Sequence, residues 1–326
     1  MHKTPPLFLT ALQIRERPLL APKGRPKMQI SRVRFLFSLS AGVVAISFAS
    51  IFIRFAQAEG VPTLSIAAWR LIFASLVLLP YAWITHRDEI KDLSPREWGL
   101  LAASGVFLGL HFAAWIGSLG YTSVASSVVL VSMGPLFVGL GSWVFMNEPP
   151  TLRLSVGIIM AAAGSVVISL GDFGQGQDQL LGDLLALGGA IMVAGYLMIG
   201  RQVRARRSLT VYIAVVYGVA MLTLLIIVLL GRQPMFGFSL PAYGWMLALG
   251  LVPQLIGHST LNWALRHISA TYVSLITLAE PVGSGVLAYI ILNEPVSWFT
   301  GAGGVLVLMG IYIASRAEMR RNGGSG

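Results

Sequence analysis

"FMNEPPT" (Phe145–Thr151) and "YIILNEPVS" (Tyr289–Ser297) each close a long apolar run with the same three residues, Asn-Glu-Pro. The copies, Asn147-Glu148-Pro149 and Asn293-Glu294-Pro295, stand 146 residues apart. The same shift pairs Ser123 with Ser269, Pro135 with Pro281, Gly139 with Gly285, Gly157 with Gly303, Gly164 with Gly310 and Ser169 with Ser315 without a gap. Glycines and prolines held in register specify helix contacts and bends rather than a shared composition. The chain reads as one unit written twice.

The material of that unit is apolar. Charged residues make up 11% of the 326, against roughly a quarter in an ordinary soluble domain, and 56% are hydrophobic. Runs of about 18 to 24 residues recur from Phe35 onward, each long enough to cross a hydrocarbon layer roughly 30 Å thick at 1.5 Å per helical residue. A transmembrane barrel would instead alternate apolar and polar residues over ten-residue segments, and the sequence contains none. The expected fold class is an all-α polytopic membrane protein. Its spans are read at about 36–57, 63–84, 97–118, 122–146, 151–170, 180–201, 209–230, 241–264, 269–292 and 297–316.

Ten spans divide into two halves of five, residues 35–171 and 180–316, joined by a linker loop at 172–179 and flanked by tails at 1–34 and 317–326. Because five is odd, the second half is expected to cross the membrane upside down relative to the first. Inverted repeats of this kind let a carrier present two related faces, with substrate held near the midplane where the halves meet. For the Asn-Glu-Pro turns the local reading is that proline starts the next helix while Asn and Glu satisfy its free amides.

The net charge of +10 agrees with this topology and does not call for nucleic acid as a partner. With the N-terminus cytoplasmic, all of the 23 Lys and Arg except Arg54, Arg70 and Arg232 fall on cytoplasmic segments, which fixes both termini inside. The basic tail, residues 1–34, is expected to be a disordered segment that touches anionic lipid. An even alternative has translation start at Met28, leaving residues 1–27 outside the native protein. The run from Phe35 to Phe55 is too long for a signal-peptide core. Cysteine is absent, so neither disulfides nor a thiolate metal site enter the reading, and no cofactor or metal is expected.

"YTSVASSVVLVSMGPLFVGLGSWVFMNEPPT" (121–151) and "HISATYVSLITLAEPVGSGVLAYIILNEPVS" (267–297) resemble the EamA domains of the drug/metabolite transporter superfamily. The resemblance covers both halves, about residues 36 to 316. It implies an inner-membrane carrier of small metabolites, amino acids or related compounds, working by alternating access and often as an exporter. A monomer or a homodimer is compatible with it.

Polar residues inside the spans are the candidate substrate contacts. Glu280 stands mid-span before Pro281, and a charge there costs at least about 2.5–3.5 kcal/mol, so it faces a cavity, finds a partner or stays protonated. Its repeat mate is Gly134, which makes the carboxylate an asymmetric addition and the candidate for coupling transport to protons. The competing structural role is a neutral Glu280 donating to a carbonyl such as that of Thr277, freed by Pro281. Gln254, His258 and Asn262 fall at i, i+4 and i+8, one polar stripe on an apolar helix, and His111 with Trp115 repeats the spacing. Tyr196, and less strongly Ser47 and Ser50, complete the expected lining, with plain helix packing as their alternative role. Pro135 and Pro281 mark expected kinks or gates. Arg70 and Arg54 are expected to snorkel outward along the interface.

A channel-like permease remains a rival reading, since sequence does not separate a carrier from a pore. A membrane-embedded enzyme is disfavoured: there is no paired-His metal motif, nucleophile elbow, phosphate loop or cluster of aqueous carboxylates.

Overall fold

The computed structural model describes residues 31–118, 121, 122, 127, 130–169, 179–293 and 298–323. The basic tail up to residue 30, most of the linker at 172–179, Ser123 and the second Glu-Pro pair (Glu294, Pro295) lie outside the described residues. Every regular element among the described residues is helical.

We number the long helices α1 (Val33–Ala58), α2 (Thr63–Thr85), α3 (Pro95–Ser118), α4 (Gly134–Met146), α5 (Leu152–Ser169), α6 (Gln179–Arg204), α7 (Leu209–Leu230), α8 (Leu240–Ala264), α9 (Ala270–Leu292) and α10 (Trp298–Gly323). Seven of them, α1, α2, α3, α6, α7, α8 and α9, are long and apolar enough to cross a membrane, while α4, Leu152–Val167 of α5 and Gly301–Ala314 of α10 are shorter apolar helices.

Local chemistry sets the helix ends. Ser31, Ser208, Ser239 and Ser269 each accept a backbone N–H in the first turn they precede. Ser94 and Glu97 form a reciprocal capping box at the start of α3, Ser94 N donating to Glu97 Oε2 at 2.9 Å and Glu97 N to Ser94 Oγ at 3.3 Å.

At the repeated motif the structure corrects the local reading. Asn147 does not cap the following helix but ends the preceding one in the left-handed conformation (φ 53°), where Asn is tolerated, and Asn293 does the same at φ 55°. Asn147 and Glu148 both donate their backbone N–H to Ser142 O, and the next helix is capped instead by Thr151, whose hydroxyl accepts from Leu154 N.

The repeat recurs in the packing. Exchanging each helix with the one five later carries the main contacts onto one another: α1 on α8 matches α6 on α3, α1 on α9 matches α6 on α4, and α2 on α8 matches α7 on α3. The pairs α2–α7, α4–α9 and α5–α10 map onto themselves. In α5 and α10, Gly157 meets Gly310 and Gly164 meets Gly303, so contact numbers fall on one helix as they rise on the other: the pair is antiparallel. A repeat shift turns the first contact into the second, the signature of a local two-fold axis.

Both members of the α4–α9 pair are interrupted just before their proline, by a turn at Ser132–Met133 and one at Leu278–Ala279. α1 is broken as well, at Phe48.

Candidate functional site

The stripe on α8 lies in an unusual helix. Gly250–His258 is π-helical with Pro253 inside it, so the α-helical spacing assumed for Gln254, His258 and Asn262 holds only beyond His258. Proline cannot donate to the preceding turn, and a wider i→i+5 register accommodates that gap; π stretches of this kind recur at functional sites. The three side chains remain on the inner side of α8, but they meet different partners.

Gln254 is committed to an arginine. Its Oε1 accepts from Arg70 Nε at 2.7 Å, and the Arg70 guanidinium carbon lies 4.4 Å from the centre of the Phe112 ring. The expectation of outward snorkelling for Arg70 is therefore wrong: the side chain is 1% exposed and turns inward, because an amide and an aromatic face offer it better partners than the interface does. One guanidinium nitrogen, Nη2, is buried without a hydrogen-bond partner. Arg54, by contrast, is exposed.

Asn262 belongs to a tyrosine cluster. Tyr196 Oη donates to Asn262 Oδ1 at 2.7 Å, Asn262 Nδ2 donates to Tyr217 Oη at 3.2 Å, and Tyr217 Oη lies 3.3 Å from Ser259 Oγ. All three large side chains are buried, so this cluster ties α6 and α7 to α8.

His111 is a tether of the same kind. Its Nδ1–H donates to Gly189 O at 2.9 Å, joining α3 to α6, and its ring stacks on Trp115 with centroids 5.9 Å apart. His258 is only half-buried and meets Phe112 edge-on at 5.6 Å. Phe112 thus stands between Arg70 and His258, a position that sequence reading did not single out. Trp115 is also half-buried, with its indole Nε1 unpartnered.

Glu280 sits where two broken helices touch. Ser284 Oγ donates to Ser47 O at 3.0 Å, a carbonyl at the α1 break, and Ser47 Oγ lies 3.5 Å from the Glu280 carbonyl. A Cβ on Gly283 would stand 2.1 Å from Ser47 Oγ, so the α1 break and the α9 kink are pressed together. Broken helices in a membrane are tolerated where they line a cavity or are buried in protein. Glu280 is half-buried, and among the described residues no hydrogen bond joins its carboxylate to another group, the Thr277 carbonyl considered from sequence included.

The two-fold related halves are not in the same state. Gly134–Met146 buries Gly134, Pro135, Val138, Gly139, Gly141 and Ser142, whereas the matching stretch of α9, Glu280–Leu292, has no buried residue. Similarly, α6 reaches α8 through arginines: Arg201 Nη1 donates to Leu265 O at 2.7 Å and Arg204 Nε to Asn262 O at 3.2 Å, with Arg204 Nη1 also on Arg207 O. Cations at the carboxyl end of α8 complement its dipole. The repeat-related pair, α1 and α3, makes no comparable approach.

Beside these arginines, Arg207 bonds Glu97 at 2.6 Å and Asp92 at 3.1 Å, and the Glu97 carboxylate holds its guanidinium above the ordinary arginine range. His267, half-buried near Arg266, Arg204 and Arg201, is pushed below the ordinary histidine value by burial first and by those cations second. Among the described residues no group of three His, Asp or Glu is placed to hold a metal ion.

Residues 34–170 and 180–316 each match the model of the EamA-like transporter family. An uncharacterized transporter of Archaeoglobus fulgidus is 25% identical over 295 residues, covering 88% of this chain and 99% of that protein. The pseudopaline exporter CntI of Pseudomonas aeruginosa is 26% identical over 252 residues, covering 77% of this chain and 87% of the exporter. A solved crystal structure shares the fold with a TM-score of 0.74 at 19% identity, over 89% of this chain and 99% of that one.

Proposed function

We propose that this chain, which belongs to the EamA-like transporter family, carries small metabolites, amino acids or related compounds, across the plasma membrane by alternating access. In this reading the chain crosses ten times, both termini are cytoplasmic, and α4, α5 and α10 are the three shorter crossings. Net movement is outward; the name of the Pseudomonas relative, an exporter, supports that direction.

The observation that carries the proposal is the mismatch between two-fold related halves. α4 is packed over Gly134–Met146 and α9 is open over Glu280–Leu292. With the termini inside, the packed stretch lies on the cytoplasmic side and the open one on the outer side, so the cavity faces outward. Exchanging the two arrangements gives the opposite state at little cost, because the same sequence pattern supports both. The substrate then meets Glu280, His258 and Trp115, which are half-buried, while Gln254, Asn262, His111 and Tyr196 are buried in the bonds that hold α2, α3, α6, α7 and α8 together.

Reconstitution into liposomes tests this. Uptake that saturates and is accelerated by unlabelled substrate on the other side, across a panel of amino acids, nucleobases, sugars and cationic drugs, supports a carrier. Flux that rises linearly with concentration and shows no counter-stimulation contradicts it and favours a channel-like permease.

A further inference from the structure

We infer that a groove on the outer face of α8, between α1 and the first turn of α7, is a binding site for an anionic phospholipid, with an acyl chain in the groove and the phosphate among the arginines at its mouth.

The groove is a cavity of about 270 Å³ whose walls include Ser38 of α1, Leu209 of α7 and Ile256, Ser259, Thr260 and Trp263 of α8. It lies away from the polar stripe. Gln254 and Asn262 turn to Arg70 and Tyr196 on the inner side of α8, whereas Ile256 is 52% exposed on a helix long and apolar enough to cross a membrane. A cleft on that side meets hydrocarbon rather than water. α1 closes on α8 at two heights: a Cβ on Gly42 would stand 2.8 Å from Thr260 Cβ, and the Phe35 and Trp263 rings lie 5.3 Å apart. Ile256 to Trp263 spans roughly 10 Å at 1.5 Å per residue, room for part of an acyl chain.

The mouth is basic and aromatic. Arg34 stands one turn before Ser38 on the same face of α1, and the Arg266 backbone N–H donates to Trp263 O at 3.2 Å. Both arginines are exposed. His267 packs on Trp263 at 5.0 Å and on Phe35 at 6.0 Å, and tryptophan belongs at headgroup depth, where its ring is in lipid and its N–H is wet. The carboxylates that reach the start of α7 are engaged: Asp92 and Glu97 bond Arg207, and Glu89 accepts from Ser208 N at 2.7 Å. Among the described residues no carboxylate pairs with Arg34 or Arg266. Unpaired cations beside an apolar cleft match a phosphate carried on a hydrocarbon chain. A lipid of no net charge brings its own cation to the phosphate, and a soluble anion leaves the cleft unfilled. In the topology proposed above the mouth opens on the cytoplasmic leaflet, whose surface is negative. Ser259, on the groove wall, lies 3.3 Å from Tyr217 Oη, so an occupant braces the contact of α7 with α8.

Trp263 is the reporter. The intact protein is placed in phosphatidylcholine nanodiscs, and phosphatidylglycerol or phosphatidylcholine brominated on the acyl chain is titrated in. Because the chain holds eight tryptophans, the Trp263 share of the quenching is the difference from Trp263→Phe. Brominated phosphatidylglycerol should half-quench Trp263 at a mole fraction at least about fivefold lower than brominated phosphatidylcholine, roughly the factor that one surface arginine contributes toward an anionic lipid. Arg34→Gln combined with Arg266→Gln should remove that preference. Ser38→Phe, which fills the groove and leaves the arginines, should remove it as well, and glycerol phosphate, the headgroup without chains, should not reverse the quenching. Equal half-quenching by the two lipids overturns the inference, as does a preference that survives either change. Reversal by glycerol phosphate assigns the arginines to a free phosphate and overturns it too. If a variant fails to fold, the wild-type comparison of both lipids and glycerol phosphate decides alone. No transport is measured, so the outcome is independent of the carrier reading.

Discussion

Gly157 and Gly310 touch backbone to backbone: a Cβ on either would stand 2.6 Å from the carbonyl oxygen of the other. The repeat carries this contact onto Gly164 and Gly303, where a Cβ on Gly164 would stand 2.7 Å from Gly303 O. Helices α5 and α10 are thereby joined by one surface used twice.

Leucine at Gly157 or Gly164 should therefore force the helices apart, costing about 1–3 kcal/mol or more by overpacking. Gly99→Ala is the control, because a Cβ there meets nothing within 4 Å and alanine is the better helix former. Melting temperatures in detergent should drop for the first two variants and hold or rise for the third. Equal losses in all three would detach stability from the α5–α10 contact.

Asn262 and His258 should separate by phenotype. Asn262 satisfies two buried tyrosine hydroxyls, so Asn262→Ala should cost about 1–3 kcal/mol of stability. His258, half-buried beside Phe112, should instead tolerate alanine in stability while substrate KM rises. Unchanged transport in His258→Ala would return that residue to helix packing.

The arginine contacts on the end of α8 should hold shut the side on which they lie, the cytoplasmic one in the proposed topology. Removing Arg201 or Arg204 deletes charge-assisted bonds worth about 1.5–3 kcal/mol each, enough to shift a two-state balance roughly tenfold to a hundredfold. Thr271→Cys, buried between α9 and α4, should react slowly with a thiol reagent alone and faster in combination with Arg201→Ala or Arg204→Ala. An unaltered rate would mean the arginines do not hold that side shut.

Glu280→Gln keeps shape and hydrogen-bonding capacity but fixes a neutral group. If Glu280 couples transport to protons, this variant should fold and bind substrate weakly while losing the pH dependence of net flux, with exchange retained. Flux that follows pH as in the wild type would remove Glu280 as the coupling group, and failure to fold would point to a structural role.

The repeat and the helical, membrane-crossing class were legible because they rest on composition and on glycines and prolines in register, which act locally. Arg70 was misread because its surroundings are non-local: Gln254 lies 184 residues away, and Phe112 looks like any core aromatic in its own segment. The signal available was that Arg70 is one of three basic residues outside the cytoplasmic segments. The π stretch at Gly250–His258 had only Pro253 to announce it, and proline in a span also fits an ordinary kink. Asn147 was assigned to the wrong helix because an N-cap side chain and a left-handed C-cap favour the same residue type.

The central claim is that one chain presents the same turn to opposite sides of the membrane. Glu148→Cys and Glu294→Cys, made singly in a chain with no native cysteine, test it with an impermeant thiol reagent on oriented vesicles. The account predicts labelling of Glu148→Cys only from the cytoplasmic side and of Glu294→Cys only from the outside. Labelling of both from one side would contradict the inverted repeat and the alternating access built on it.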